Sequence, residues 1–505
     1  MPLVKLPLLL FVLCALATGQ ARAASRPNIV LFLVDDLGWT DWQQDPKFNP
    51  TGSVVYETPN LLRLAKSGQV FRSAYAACPV CSPTRAAIMT GKNPARLRLT
   101  DWIPGPNVGT AKLTKPKWRK NLAATEVTLA EALRAGGYAT GFFGKWHLGE
   151  RGGAADPKQN GFDVNIGGGP FGSPTSAGGY FAAADGCWTG LPGLDTPGAY
   201  PADKYLSEAL TERAGEFIQQ STQQPFFLML SHYHVHTPLE APADLEVKYQ
   251  QKIDRLQSQG IELKDHTNAT YAAMVEKMDQ SLGALLDRLE DPNGDGDRRD
   301  SVRANTLICF ASDNGGLWSA EGSPTRNLPL REGKGSMYEG GIRTPLVISW
   351  PGNTAIAPGV VTQALTASPD LFATALDVAG LSDSAPTAID GVSLRTALEG
   401  HPFDRGELYW HYPHLSNQDK GSKKISGGAF VSAVRKANWK LIYFYENQGY
   451  ELYNLATDEG ETTNVLAAEP AIAAELSQAL RHYLLRVDAQ LPVSRATGLP
   501  VAAPQ

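Results

Sequence analysis

Ile29-Val30-Leu31-Phe32-Leu33-Val34 is an unbroken apolar run that stops at two adjacent carboxylates, Asp35 and Asp36. A run of this length predicts a strand over 27–34 that is buried on both faces. A sheet covered by helices on both sides offers that environment. The following four hundred residues fit this demand. Helices are predicted over 58–68, where Pro59 suits the first turn and Gly68 the stop, and over 127–135, closed by Gly136-Gly137. Strands are predicted over 138–143, 225–231, 306–311 and 345–350, and a long amphipathic helix over 272–289. The alternation gives an α/β fold with a large mixed, mostly parallel sheet sandwiched by helices. Polar residues gather just after the strands, which is the edge where open α/β sheets bind ligands.

The pattern changes near residue 400. Short antiparallel strands over 430–435, 439–445 and 450–453, followed by a helix over 471–486, predict a smaller α+β domain over 401–505 beside a catalytic domain over 24–400. The glycine-rich stretch 149–198 reads as an ordered loop region near the active site. Residues 1–23 read as an export signal: Lys5 precedes an apolar run of about a dozen residues, too short for a membrane span, and Ala21-Arg22-Ala23 fits a cleavage site. The mature protein is expected to be periplasmic or secreted. Four cysteines remain after cleavage, Cys78, Cys81, Cys187 and Cys309. That is few for a fold held by disulfides in an oxidising compartment, so the core must carry stability. The net charge of -5 gives no support for nucleic-acid binding, and no later run is apolar and long enough to span a membrane.

Two strand ends carry oxygen donors: Asp35-Asp36, and Asp313-Asn314 after 306–311. Carboxylates crowded at one sheet edge repel one another unless a cation lies between them. Three carboxylates with an amide oxygen suit a hard cation, calcium before magnesium. Cys78-Pro79-Val80-Cys81-Ser82-Pro83-Thr84-Arg85 admits two readings. One is a Cys-x-x-Cys redox pair; the other is Cys81-x-Pro83-x-Arg85 entering a helix whose N-terminus, with Arg85, favours an anion.

The stretch from Cys81 to Lys92, CSPTRAAIMTGK, closely resembles the signature of the type I, formylglycine-dependent sulfatases, with Thr84 where many relatives have Ser. Four further segments occur in the family's order: Asn28 to Trp39, Gly144-Lys145-Trp146-His147-Leu148-Gly149, Ser312-Asp313-Asn314-Gly315 and Leu330-Arg331-Glu332-Gly333-Lys334-Gly335. The chain looks most like arylsulfatase A and the N-acetylgalactosamine sulfatases. The resemblance implies an alkaline-phosphatase-like fold and hydrolysis of a sulfate ester, on a sulfated small molecule or glycan. It implies that Cys81 is oxidised to formylglycine by a formylglycine-generating enzyme, and that its hydrate is the nucleophile. An ordinary Ser or Cys lacks the second hydroxyl needed to expel sulfate afterwards. Calcium is expected on Asp35, Asp36, Asp313, Asn314 and the modified Cys81. Arg85 is expected to hold the formylglycine, Lys145 and Lys334 to contact sulfate, His147 to act as a base and His236 to sit at the leaving oxygen. Ser173 is a looser candidate for contacting sulfate.

Other signals leave alternatives open. His232, His234 and His236 would share one face if the strand continued through them, which also suits zinc. Trp410-His411-Tyr412-Pro413-His414 could bring His411 and His414 to a sugar at the active-site mouth, or could pack between domains. Asp291 to Asp297 resembles the start of an EF-hand loop, but Val302 stands where Glu is needed, so a solvated turn is preferred. Asn268-Ala269-Thr270 is a glycosylation sequon. Competing functions are a phosphatase or phosphodiesterase of the same superfamily, and a noncatalytic glycan-binding relative.

Overall fold

The computed structural model describes residues 26–105, 111–319, 321–418 and 426–505; the predicted export signal lies outside them. Eight strands form the main sheet: β1 (Asn28–Val34), β2 (Gln69–Phe71), β3 (Ala139–Gly144), β4 (Val164–Ile166), β5 (Phe226–Ser231), β6 (Thr306–Ser312), β7 (Leu346–Ser349) and β8 (Val360–Thr362). Their order across the sheet is β8-β2-β7-β6-β1-β5-β3-β4. Every pairing is parallel except the two made by β7. The longer helices are α1 (Pro59–Ser67), α2 (Cys81–Thr90), α3 (Leu129–Ala135), α4 (Leu206–Ser221), α5 (Ala243–Ser258), α6 (Ala269–Glu290), α7 (Pro369–Val378) and α8 (Pro470–Arg486).

β1 shows why its sequence is apolar throughout. Val30, Phe32 and Val34 pack on one face against α1, α4, α5 and α6, while Ile29, Leu31 and Leu33 pack on the other against α2, α3 and α7. Polar side chains fasten the helices to this framework. Thr128 and Glu131 close a capping box on α3. Thr58 makes no such bond for α1; instead Asp279 of α6 accepts the amides of Asn60 and Leu61 at 3.0 and 2.8 Å. Asn268 of the sequon caps α6 by accepting the Tyr271 amide at 2.8 Å. The 291–297 segment is an exposed turn in which Asp291 accepts the amides of Gly294 and Gly296. Among the described residues no helix is long and apolar enough to cross a membrane, and Cys78, Cys81, Cys187 and Cys309 are free thiols.

A second, antiparallel sheet follows: β9 (Leu408–Leu415), β10 (Ala429–Lys436), β11 (Trp439–Phe444) and β12 (Gly449–Asn454), in that order. One face, with Phe430, Val434 and Leu441, is covered by Leu476, Leu480 and Tyr483 of α8. The other, with Trp410, Val431 and Ile442, packs on Tyr75, Val80, Met337 and Tyr338 of the first part of the chain. A charged cluster is sealed into this contact. Lys440 lies 3.0 Å from Glu339 and 2.8 Å from Glu461, with all three side chains fully buried. Tyr75 donates to Glu339 at 2.5 Å, and the Glu339 amide donates to Glu461 at 2.6 Å. Burial outweighs the attraction of Lys440 and raises the Glu461 carboxyl to about 7.

This cluster yields a stability prediction. Lys440→Met leaves two buried carboxylates without their shared cation and is expected to lose about 3–5 kcal/mol; Glu461→Gln should lose less. The native state binds the Glu461 proton more tightly than the unfolded chain, whose carboxyl titrates near its ordinary 4.5. This group's contribution is therefore full below that value and lost as pH rises through about 7. Urea unfolding of the three proteins at pH values either side of this window checks both points. A Lys440→Met protein as stable as Glu461→Gln contradicts the account.

Candidate active site

The four central strands end level with one another: Val34 pairs with Ser312, Leu33 with Ser231, and Gly144 with Ser231. The residues that follow therefore arrive at one edge. Asp35 and Asp36 come from β1, Lys145 and His147 from β3, His236 from β5, and Asp313 and Asn314 from β6. Gly144 has φ of 105°, and a Cβ there would lie 1.9 Å from the Ser231 carbonyl oxygen, so only glycine lets β3 approach β5 as it delivers Lys145. Asp36 and His147 turn with φ of 60° and 56°, a conformation that costs an L-residue about 1–3 kcal/mol unless the surroundings hold it. His147 is held by its amide on Gly169 O at 3.0 Å and by Ser82 Oγ on its carbonyl at 2.9 Å.

Asp35, Asp36 and Asp313 are fully buried, and one oxygen of each lies within 4.8 Å of the others. Three cations surround them. Lys145 Nζ is 2.6 Å from Asp35, and Lys334 Nζ is 2.8 Å from Asp36 and 3.3 Å from Glu321. Arg85 Nε donates to Asp313 at 2.8 Å, while its Nη1 donates to Lys145 O and Ser231 Oγ, both at 2.7 Å. Burial, ahead of repulsion from Asp313 and Asp36, raises Asp35 well above the ordinary carboxylate range despite Lys145. Burial also pushes Asp36 upward, but Lys334, His236 and Lys145 outweigh it and hold that carboxyl below the range. Among the described residues, two buried oxygens, Asp35 Oδ1 and Asn314 Oδ1, accept no hydrogen bond. Orphaned oxygens beside three carboxylates are the donor set a hard divalent cation requires. A second group, Asp36, His236 and Glu321, also has ligand atoms within 4.8 Å of one another, but there Lys334 already bridges Asp36 and Glu321 as the cation.

Cys81 opens α2 at an N-terminus with no side-chain cap and no acidic residue in its first turn. The free amides of that turn favour an anion. The thiol is 3% exposed, and Sγ lies 3.3 Å from His147 Nδ1. His147 Nε2 donates to Ile103 O at 2.5 Å, which leaves Nδ1 as the acceptor facing Cys81. Burial first, then Lys145, lowers His147 well below its ordinary range, so the ring is neutral. Burial raises the Cys81 thiol to about 11 despite Lys145.

Above these groups opens a cavity of about 330 Å³, within the size range of small-ligand sites. Cys81, His147, His236, Lys334 and Ser173 line it, so these expected residues share one space; Lys145 and Arg85 lie beneath with the carboxylates. Phe171, Gly172 and Ser176 of the glycine-rich stretch also contribute. The three histidines after β5 do not share a strand face, because the strand ends at Ser231. His232 turns inward to Ser281 at 2.7 Å, and His234 packs edge-on against Tyr180 and Tyr205. Only His236 of the three lines the cavity, with Nδ1 donating to Thr237 O at 2.8 Å and Nε2 3.6 Å from Asp36. Burial, then Lys334, lowers His236 to about 4.

His411 and His414 do not line the cavity. His411 is held by Ser432 at 2.7 Å and by Gln490 O at 3.0 Å. His414 pairs with Thr100 at 2.8 Å beneath Trp118. Both are buried, as packing between sheet and core requires. Conversely, Trp102, Ile103, Glu321, Asn417 and Gln418 line the cavity without having been singled out in the sequence. The one available signal was that Glu321 falls between the Ser312-Asp313-Asn314-Gly315 and Leu330–Gly335 segments.

Comparison with known proteins is consistent along the chain. Residues 27–381 match the sulfatase family model, and residues 333–490 match the model described as N-sulphoglucosamine sulphohydrolase, C-terminal. A protein named sulfatase from Formosa agariphila is 32% identical over 94% of this chain and 92% of its own length. The N-acetylgalactosamine-6-sulfatase of Rattus norvegicus is 34% identical over 80% of this chain and 72% of its own. The crystal structure of Ps i-CgsB in complex with k-i-k-neocarrahexaose superposes with a TM-score of 0.67 at 27% identity, covering 91% of this chain and 93% of that one. Together with the sheet order and the level strand ends, these matches show that the chain belongs to the sulfatase family of sulfuric ester hydrolases.

Proposed function

We propose that this sulfatase acts on a sulfated carbohydrate, with Cys81 converted to formylglycine and one calcium ion held by Asp35, Asp36, Asp313 and Asn314. The observation that carries this is the buried constellation at the carboxyl ends of β6, β1, β5 and β3: a helix-opening Cys81 above an oxygen cluster whose Asp35 Oδ1 and Asn314 Oδ1 accept no hydrogen bond among the described residues. Sulfated-sugar relatives, including the rat N-acetylgalactosamine-6-sulfatase, support the substrate class. Residues 24–400 form the catalytic domain on this reading and 401–505 the smaller one. Residues 1–23 export the chain to the periplasm or medium, and a formylglycine-generating enzyme acts on Cys81.

Calcium, when bound, supplies charge to offset negative charge on sulfate oxygens. Formylglycine, as its hydrate, supplies two hydroxyls on one carbon where the thiol has none. The chain's own residues do the rest. Lys145 and Lys334 supply fixed positive charge where charge develops in the transition state. Arg85 orients Asp313 and the Lys145 carbonyl. His147, neutral with Nδ1 free to accept, takes a proton from the group at position 81. His236 Nε2 faces the cavity beside Asp36 and Glu321; an incoming sulfate adds negative charge that raises its affinity for a proton, which it delivers to the departing alcohol, with Lys334 as the alternative donor.

Three outcomes are expected. In protein made with a formylglycine-generating enzyme, mass spectrometry should find aldehyde in place of thiol at Cys81, and Cys81→Ala should lose at least about 10³-fold in kcat while melting as the wild type does. An unmodified thiol in a fully active sample contradicts this assignment. Chelation should remove activity and lower Tm, and calcium at about 100 times its Kd should restore about 2.7 kcal/mol of stability; recovery with zinc but not calcium points to another metal. His236→Gln should slow a sugar sulfate at least about 10-fold more than nitrophenyl sulfate, whose leaving group needs little protonation. Equal losses on both substrates exclude the acid role.

A further inference from the structure

The cavity walls differ in hydrogen-bonding character. The chemical wall presents donors and cations: Lys334, and the free amides that open α2. A second part of the lining, adjoining Lys334 (3.3 Å from Glu321), comes from two segments outside the level strand ends. Glu321 reaches it from the loop after β6, with its side chain 25% exposed; burial disfavours its charge, but Lys334 and His236 outweigh that and hold the carboxyl below its ordinary range. Asn417 and Gln418 reach it from the end of β9, in the smaller sheet. Gln418 is 2% exposed, yet among the described residues its Oε1 accepts no hydrogen bond, and its Nε2 reaches Asn417 Oδ1 at 3.5 Å. A buried amide oxygen on a cavity wall without a partner is missing a donor.

This wall is built rather than incidental. The Gln418 carbonyl accepts from Ser319 Oγ at 2.6 Å, and Ser323 Oγ donates to Ser319 O at 2.7 Å, which ties the Glu321 loop to the smaller sheet. The Gln418 stem lies over Gly335, the residue after Lys334. Gly335 has φ of 83°, and a Cβ there would come within 2.7 Å of Gln418 Cγ.

We propose that Glu321, Asn417 and Gln418 form an acceptor subsite for the alcohol half of the substrate, selecting an uncharged polyhydroxy ring that bears a single sulfate and rejecting one with a second anionic group beside it. This rests on the sulfatase reading and deepens it. Hydroxyl and amide N–H groups of such a ring donate to Glu321 and Gln418, and donation to a carboxylate is the stronger kind. Trp102 and Phe171 offer apolar surface to the ring face. A second sulfate or a carboxylate would instead meet Glu321, with the neighbouring Lys334 already paired to Asp36 and Glu321.

The test is kcat/KM of the aldehyde-bearing full-length enzyme on a panel of monosulfated hexoses and N-acetylhexosamines, on the disulfated counterpart of the best of them, and on nitrophenyl sulfate. Wild type should prefer the monosulfated sugar to the disulfated one by at least about 10-fold, and Glu321→Gln should erase most of that preference. Gln418→Leu, checked for an unchanged Tm, should lower the ratio of sugar sulfate to nitrophenyl sulfate about 10-fold, mainly through KM. A mono-to-disulfate ratio within about 2-fold of wild type in Glu321→Gln, or equal loss on sugar and aryl substrates in Gln418→Leu, overturns the subsite. Cleavage of nitrophenyl sulfate but of no monosulfated sugar overturns the subsite and leaves the sulfatase reading standing. Cleavage of no sulfate ester at all overturns that reading itself.

Discussion

A guanidinium cannot be buried without partners for its N–H groups, and Arg85, at 1% exposure, shows what that demand does to a fold. Its fork joins four elements. It stands on α2, grips Asp313 after β6, and donates to Ser231 at the end of β5 and to the carbonyl of Lys145 after β3. Asp35, after β1, lies 3.5 Å from the same guanidinium. Once α2 is docked, these partners cannot slide relative to one another without leaving a charge alone in the interior. The level ends of the central strands and the position of Cys81 one turn before Arg85 are therefore a single constraint. The apolar layers on either side supply the driving force but would tolerate other registers.

Lys145 and Lys334 extend the same logic outward. With Arg85 they face four carboxylates, Asp35, Asp36, Asp313 and Glu321. With all four ionised the cluster is one positive charge short of balance, and among the described residues two of its oxygens accept no hydrogen bond. On the proposed reading a divalent cation relieves this repulsion and keeps Asp35 ionised, which lets three acids sit at the bottom of a pocket that receives an anion.

The sheet was legible because its strands are buried on both faces: β1, β5 and β6 announce themselves as continuous apolar runs. β2 and β8, three residues each and placed at one side of the sheet, carry too little pattern to be found. α4 was hidden for a different reason, since it packs small residues such as Ala209 and Ala214 beside its larger ones, so its apolar stripe is diluted. Composition left β9 open between sugar contact and packing between domains. Trp410, His411 and His414 look like ligand contacts, yet each is bonded inside the protein: Trp410 Nε1 to Ala76 O, His411 Nδ1 to Ser432 and His414 Nε2 to Thr100. The alternation expected of His232, His234 and His236 failed because the chain leaves the sheet at Ser231 and bonds instead around Asp35: the Asp35 amide takes His234 O, and the Val235 amide takes Asp35 O. Within the site, residues lying one or two places beyond a strand were readable. Glu321, Asn417 and Gln418 were not, since only the docking of the smaller sheet brings them to the cavity.

Burial also explains why an unmodified cysteine is ill suited to position 81. The helix N-terminus, Lys145 and Lys334 all favour a thiolate, yet desolvation prevails and leaves the thiol near 11. At neutral pH only about one molecule in 10⁴ would hold the reactive form. On the proposed reading a carbonyl hydrate carries no such burden, because it enters the pocket neutral and gives up a proton to His147. On the proposed reading, the modification must also precede closure of the fold. At 3% exposure, with His147 against its sulfur and Ser82 bonded to the His147 carbonyl, Cys81 offers no surface to a second enzyme once α2 has docked. On that reading, the interactions that make the site rigid require its nucleophile to be installed while the chain is still open.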